Sequence, residues 1–259
     1  MPDPLGDISF TWYYIFIFLI GYFIGSIPFG VILTKINGYG DITKIGSGNI
    51  GATNVLRTGN KKIALLTLIL DIAKGLIPTI IVLKLLNQDL AIVISSGLVL
   101  GHILPVLLFN RIKENIYFNI NIILISFLSI NIILFGKGIV SLVGVIIILI
   151  NLFYAWGGKA VATGLGVLLA INPTIGICCI MIWLFTSVIT KYSSLSALIS
   201  FFFAPIIAFF FSDQPIEKFY TTDKQVIEFF GFLGMIIWIR HTKNIKNLIS
   251  GKEPKIGKN

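Results

Sequence analysis

Apolar runs recur from one end of the chain to the other, separated by short polar connections. Nine of them stand out, at 11–33, 63–86, 90–109, 116–135, 139–155, 161–171, 173–190, 195–211 and 225–240. A spanning helix needs about 20 apolar residues, fewer when packed inside a bundle. The pattern therefore predicts an all-α fold, a polytopic transmembrane helix bundle forming a single domain over residues 1–259. Run 161–171 is short for a crossing and reads as a half-span enclosed by its neighbours, where backbone need not meet lipid. The first run is not expected to be a cleaved leader. Asp3 and Asp7 precede it instead of a basic region, and no small-x-small cleavage site follows.

The connections between runs differ sharply in charge. Counted by alternate sides, fifteen Lys and Arg fall on one side and three (Lys137, Lys218 and Lys224) on the other. The positive-inside rule then places residues 34–62 and the C-terminus in the cytoplasm and the N-terminus outside. The unusual polar segments all lie on that basic face: "IGSGNIGATNVLRTGNKK" at 45–62, "GHILP" at 101–105, "GGKAVATG" at 157–164, "TKYSS" at 190–194 and "RHTKNIKNLISGKE" at 240–253. A site assembled from them would sit at the inner membrane boundary.

Composition supports the membrane reading and narrows the chemistry. The chain is 56% hydrophobic and 12% charged, with mean hydropathy +0.95, whereas soluble domains carry roughly 25% charged residues. The net charge of +9 fits contact with anionic headgroups. Nucleic-acid binding is not expected, because no basic domain exists to carry it. Cys178 and Cys179 adjoin in an apolar run and read as small hydrophobes. With His102 and His241 the only histidines, no metal-binding cluster is visible.

Residues 46–51 spell G-x-G-x-x-G, but a dinucleotide fingerprint needs a strand before it and a sheet around it. What remains is simpler. Glycines let backbone amides converge on an anion. Ser47, Asn49, Thr53 and Asn54 add neutral donors, and Arg57 adds a bidentate one. An ordinary flexible loop fits as well. In "GGKAVATG", Lys159 follows two glycines just before a helix start, where an anion can be held; a tight turn with one lysine is the plain alternative. Asp71 and Lys74 are spaced to pair on one helix face, for function or for packing. His102 and His241 read as structural or interfacial residues, or, for His241 with Asn244 on the same face, as a base or phosphate donor. No nucleophile stands out, so an enzyme of this kind would bind an activated anionic substrate and transfer directly.

These motifs, in this order, with "GSIPFG", "LDIAKG", "GGKAVATGLGVLLAINP" and "TKYSSLSAL", resemble the acyl-phosphate:glycerol-3-phosphate acyltransferase family (PlsY) over nearly the whole chain except about 111–155. The resemblance implies an inner-membrane enzyme that moves a fatty acyl group from acyl phosphate to the 1-hydroxyl of glycerol 3-phosphate. The products are lysophosphatidic acid and phosphate, the first step of phospholipid synthesis, with no metal or other cofactor. It further implies seven family-type helices and a cytoplasmic site. In that site Gly46, Ser47, Gly48, Asn49, Thr53, Asn54 and Arg57 hold phosphate, with Gly157, Gly158 and Lys159 as a second cradle and Ser194 adding a hydroxyl. His241, Asn244, Ser47 and Lys159 form the catalytic group, and Asp71, Lys74 and His102 support it.

Two departures from the family pattern matter. Ala160 stands where the family's turn has glycine. About 45 extra residues, 111–155, read as an inserted hydrophobic hairpin of two helices. The insert carries "GKGIVSLVGVII" at 136–147, an echo of "GKAVATGLGVLL" at 158–169, so Lys137 competes with Lys159 for the phosphate role. Lys159 is preferred, because "INP" follows its segment and charge parity puts Lys137 outside. Two other readings stay open: a transporter of a phosphorylated solute, which the intramembrane Asp71 and Lys74 would suit, and a family member disabled by the insert.

Overall fold

The computed structural model describes residues 11–106, 108, 157–212 and 223–257. The expected hairpin at 111–155, Lys137 included, lies outside the described residues. Helices follow one another as α1 (Thr11–Gly25), α2 (Phe29–Ile36), the short α3 (Ala52–Val55), α4 (Lys61–Leu85), α5 (Gln88–Ile103), α6 (Val161–Ile171), α7 (Pro173–Thr190), α8 (Ser193–Ser212), α9 (Lys224–Arg240) and α10 (Thr242–Ile249). No strand occurs among the described residues.

The starts of the long helices follow from local chemistry. The side chain of Asn60 accepts from the amides of Lys62 and Ile63, that of Asn87 from Leu90, Asn172 from Ile175 and Asp223 from Val226. Each satisfies amides that a helix leaves unpaired at its first turn. Once formed, α7 and α8 leave Phe185, Val188 and Phe210 at least 70% exposed, as a lipid-facing wall would. Trp12–Ile36, α4, α7 and α8 are long and apolar enough to cross a membrane, and α5 and α6 are shorter apolar helices.

Two expectations are revised. The run 11–33 is one span but two helices, broken at Ser26–Pro28. Proline has no amide to continue a helical ladder, and the break leaves the Ile27 carbonyl exposed to the bundle interior. The Lys74 ammonium donates to that carbonyl at 2.9 Å. Run 90–109 ends its helix at Ile103, two residues before Pro105.

Lipid gives helices no hydrophobic reason to associate, so close packing must hold them. Glycines provide it. A Cβ on Gly21 or Gly25 of α1 would lie 2.3 or 2.1 Å from the carbonyl oxygens of Ile94 or Leu98. The α5 glycines Gly97 and Gly101 would meet Phe18 and Tyr22 oxygens at 2.3 and 2.1 Å. Spaced i, i+4 on both helices, these glycines let the two backbones touch. Gly75 of α4 and Gly166 of α6 make a second such crossing, against Thr163 and Ile72. These crossings pair α1 with α5 and α4 with α6.

Candidate functional site

A cavity of about 900 Å³ opens among the polar segments. Its lining changes character with depth. Ser47, Arg57, Lys159, Ser194, His241 and Asn244 come from loops and helix ends. Leu68, Ile72, Leu165, Ile180 and Leu184 come from the interior of the helices. Gly48, Asn49, Thr53, Asn54, Gly157, Asp71 and His102 also border it, whereas Gly46, Gly158 and Lys74 lie behind the wall.

The 45–62 loop holds itself together through one side chain. Asn54 is 2% exposed, and its amide donates to the carbonyls of Ile42, Ile45 and Asn49 at 2.8–3.0 Å. Its carbonyl accepts from the amide and the hydroxyl of Ser47. Asn54 was expected as a phosphate donor; in the structure its amide donors are engaged by carbonyls of the loop. Gly46 and Gly48 take left-handed φ of 56° and 72°, where a side chain is strained. A Cβ at Gly46 would also lie 2.6 Å from the Arg57 side chain, so the glycine lets Arg57 lie across the loop. Thr53 shares a hydrogen bond with Ser193 at 3.2 Å. The Asn49 Oδ1 is buried with no partner among the described residues.

The 157–160 turn is held from outside. Helices end with unpaired carbonyls, and α5 gives two of these to the turn. Gly158 N–H donates to His102 O at 3.0 Å and Gly157 N–H to Ile103 O at 2.9 Å. The Tyr22 hydroxyl caps a third, Leu104 O, at 2.6 Å. The two glycine amides, expected as part of a phosphate cradle, therefore point into α5, and Lys159 is the donor the turn offers to the cavity. A Cβ at Gly158 would lie 2.0 Å from His102 Nε2, so only glycine fits against that ring. Ala160 stands at φ 57°, the left-handed region, at 1% exposure.

Behind the turn, Asp71 pairs with Lys74 at 2.8 Å, and His102 Nδ1 lies 3.8 Å from the same carboxylate oxygen and 3.3 Å from the Thr163 hydroxyl. With Lys74 bonded to the Ile27 carbonyl, this charged pair repairs a helix break. That removes the feature that suited a transporter.

The C-terminal segment closes the site through an acid that sequence reasoning passed over. The Glu253 carboxylate accepts from the Ser194 hydroxyl and the Asn244 amide, each at 2.6 Å. Asn244 Oδ1 in turn accepts from the Lys159 ammonium at 2.5 Å. Glu253 is the sole acid among residues 229–259, a signal available in the sequence. Burial pulls the Lys159 ammonium down to about 8; Glu253 opposes this, and Arg240, Arg57 and Lys243 add to it. Burial likewise holds His241 low, at about 3, with Lys159 and Arg240 contributing against a bond to Ile237 O. Because a carbonyl only accepts, the 2.7 Å contact of His241 Nδ1 with Ile237 O puts the proton on Nδ1. Nε2 is then an acceptor.

The family model described as glycerol-3-phosphate acyltransferase matches residues 15–251. A glycerol-3-phosphate acyltransferase of Bartonella henselae is 39% identical over 256 residues, covering 97% of this chain and 96% of its own. One of Agrobacterium fabrum is 36% identical over 239 residues, covering 92% and 90%. A crystal structure of PlsY (YgiH), an integral membrane glycerol 3-phosphate acyltransferase, in its glycerol 3-phosphate form superposes with TM-score 0.68 at 28% identity, covering 95% of this chain and 96% of that one. Its lysophosphatidic acid form gives 0.67.

Proposed function

The chain belongs to the glycerol-3-phosphate acyltransferase family, and from that premise we propose that it transfers a fatty acyl group from acyl phosphate to the 1-hydroxyl of glycerol 3-phosphate. The observation that carries this reading is a cavity that basic and polar residues from loops and helix ends share with apolar residues from helix interiors. A lipid-tailed phosphate can lay its chain against Leu68, Ile72 and Ile180 while its head meets Lys159 and Arg57. A soluble phosphate enters at the same mouth. Arg57, Ser47 and Lys159 then hold anions by charge-assisted bonds, and the buried Asn49 Oδ1 suits a glycerol hydroxyl.

Chemistry follows from the two titrating groups. A histidine held at about 3 is a weak base and stays neutral. His241 Nε2 therefore accepts a hydrogen bond from the attacking hydroxyl and orients it. The hydroxyl oxygen bonds to the acyl carbon, the acyl–phosphate bond breaks, and the proton passes to the oxygen with which phosphate departs, giving hydrogen phosphate. Atoms and charge balance without an enzyme nucleophile. Positioning and fixed cations supply the rate. The fifteen-to-three distribution of basic residues supports a cytoplasmic site in the bacterial inner membrane, with the N-terminus outside.

Purified protein in detergent, given glycerol 3-phosphate with either acyl phosphate or acyl-CoA, tests the reading by the lysophosphatidic acid formed. Product from acyl phosphate is expected, with Lys159→Ala lowering kcat/KM by about a hundredfold or more and Lys137→Ala leaving it unchanged. Product from acyl-CoA alone would sink the donor assignment, and loss only in Lys137→Ala would reverse the choice of lysine.

A further inference from the structure

Neither the motifs nor the catalytic scheme gives any task to Arg240, yet its side chain reaches the wall of the site. It ends α9, one residue before His241. Its Nη2 donates to Gly157 O at 3.3 Å and its Nε to Gly158 O at 3.4 Å. The amides of the same two glycines donate the other way, to the carbonyls that end α5. The Gly157–Gly158 turn thus has its amides tied to one helix and its carbonyls tied to another.

The reason for a two-sided hold lies in the turn itself. Two adjacent glycines have wide backbone freedom, and the residue that follows them carries the ammonium the phosphate needs. Left alone, such a turn would place Lys159 in many positions. The α5 carbonyls cannot fix it fully, since they restrain the amides only. A guanidinium is a planar fork with several donors in fixed geometry, suited to two neighbouring carbonyls in a way an ammonium is not.

We infer that Arg240 is a positioning residue for the phosphate site: its guanidinium and the C-terminal carbonyls of α5 grip the Gly157–Gly158 turn from opposite sides and fix where Lys159 meets phosphate. Because Arg240 adjoins His241, the same contact sets the lysine in register with the histidine across the cavity. Asn244, one turn beyond Arg240 in the chain, completes the register by accepting from Lys159. The inference rests on the acyltransfer reading for its consequence, though the grip itself is a matter of geometry.

Two variants test it. Arg240→Lys keeps the charge and loses the fork; Arg240→Ala loses both. Kinetics would be measured with acyl phosphate and glycerol 3-phosphate, and thermal unfolding in detergent would confirm that each variant is folded. The expected result is a fall in kcat/KM of roughly tenfold to a hundredfold in both, as a misplaced binding group produces. Partial recovery of Arg240→Ala by added guanidinium ion is expected, with none in Arg240→Lys. A second readout needs no turnover. The pH dependence of Lys159 acylation by an amine reagent, followed by peptide mass spectrometry, has its midpoint near the value of about 8 set by burial and neighbouring cations. In Arg240→Ala it moves up towards an ordinary lysine. Unchanged kcat/KM in Arg240→Lys, or an unmoved Lys159 midpoint in Arg240→Ala, would overturn the inference. Absence of product from the unaltered protein would instead defeat the acyltransfer reading, and the acylation curve of Arg240→Lys, which keeps the charge and loses the fork, would still decide the grip: a displaced curve supports it and an unmoved one overturns it.

Discussion

The two glycine-rich segments at the cavity mouth look alike in sequence and are built on opposite principles. Residues 42–58 form a loop held from within: Asn54 alone bonds three of its carbonyls and both donors of Ser47. Gly157 and Gly158 have no such internal bonds, relying on α5 for their amides and on Arg240 for their carbonyls. A self-contained loop can be displayed at the end of any helix pair. A turn assembled by others exists only when the bundle is closed, so its lysine is in place only in the folded site.

The contrast predicts where each region breaks. The loop should fail at its single staple. Asn54→Ala leaves three carbonyls without their donor, and the buried one, Ile42 O, alone costs about 1–3 kcal/mol. The expectation is a collapse of activity together with new protease cleavage within 45–58, while the bundle still melts cooperatively. Intact loop and near-normal activity in Asn54→Ala would show that the loop is held from outside after all.

The turn should fail through remote residues instead. Glu253 lies far along the chain, yet it anchors Ser194 and Asn244, and Asn244 meets Lys159. Glu253→Gln keeps the shape and removes the charge. A rise in KM for glycerol 3-phosphate of about tenfold is expected, with kcat less affected. An effect confined to thermal stability, with KM unchanged, would make Glu253 a mere tether.

Much of this was legible in the chain and some was not, for physical reasons. Helices announce themselves by apolar runs of membrane length, and their starts by Asn60, Asn87, Asn172 and Asp223, because a cap acts within one turn of its own residue. The loop motif was legible for the same reason, since its bonds are local, although composition alone could not tell a staple (Asn54) from a ligand. The break at Ser26–Pro28 was hidden by an unbroken apolar run, with Pro28 its one local sign. Lys74, 47 positions away, is what makes that break tolerable. The pairing of Gly21 and Gly25 with Gly97 and Gly101, and the grip of Arg240 on Gly157, depend on which helices meet. Nothing in a single helix records that. Glu253 was the missed residue that sequence could have flagged, as a lone acid in a basic tail.

A smaller effect concerns pH. Phosphate binding needs Lys159 charged, and its folded value is lowered to about 8. The charged form therefore predominates below that value and is lost as pH rises through it, well before an ordinary lysine would titrate. kcat/KM, which reports the free enzyme, should fall on the alkaline side with a midpoint near 8. Since Glu253 raises the lysine's value and Arg240 lowers it, Glu253→Gln should move the limb to lower pH and Arg240→Ala to higher pH. Limbs that move together, or not at all, would detach the lysine from this turn.

The smallest effect belongs to Ala160, which holds the left-handed conformation at the end of the turn. An L-residue at left-handed φ costs about 1–2 kcal/mol, so Ala160→Gly relieves strain at φ 57°. Two terms oppose the gain. The alanine is 1% exposed, and deleting one buried methyl costs about 0.8 kcal/mol. Glycine also adds freedom to the unfolded chain, worth about 0.4–1 kcal/mol. The sum is near zero, so Ala160→Gly should leave melting temperature and kcat/KM almost unchanged, and the alanine is a tolerated variation rather than a defect. A β-branched residue has no such balance, because it is excluded from this φ. Ala160→Val should therefore displace Lys159 and lower kcat/KM about tenfold or more. If instead Ala160→Gly raises activity severalfold, the methyl is obstructing the phosphate, and the turn is tuned more tightly than its two-sided support requires.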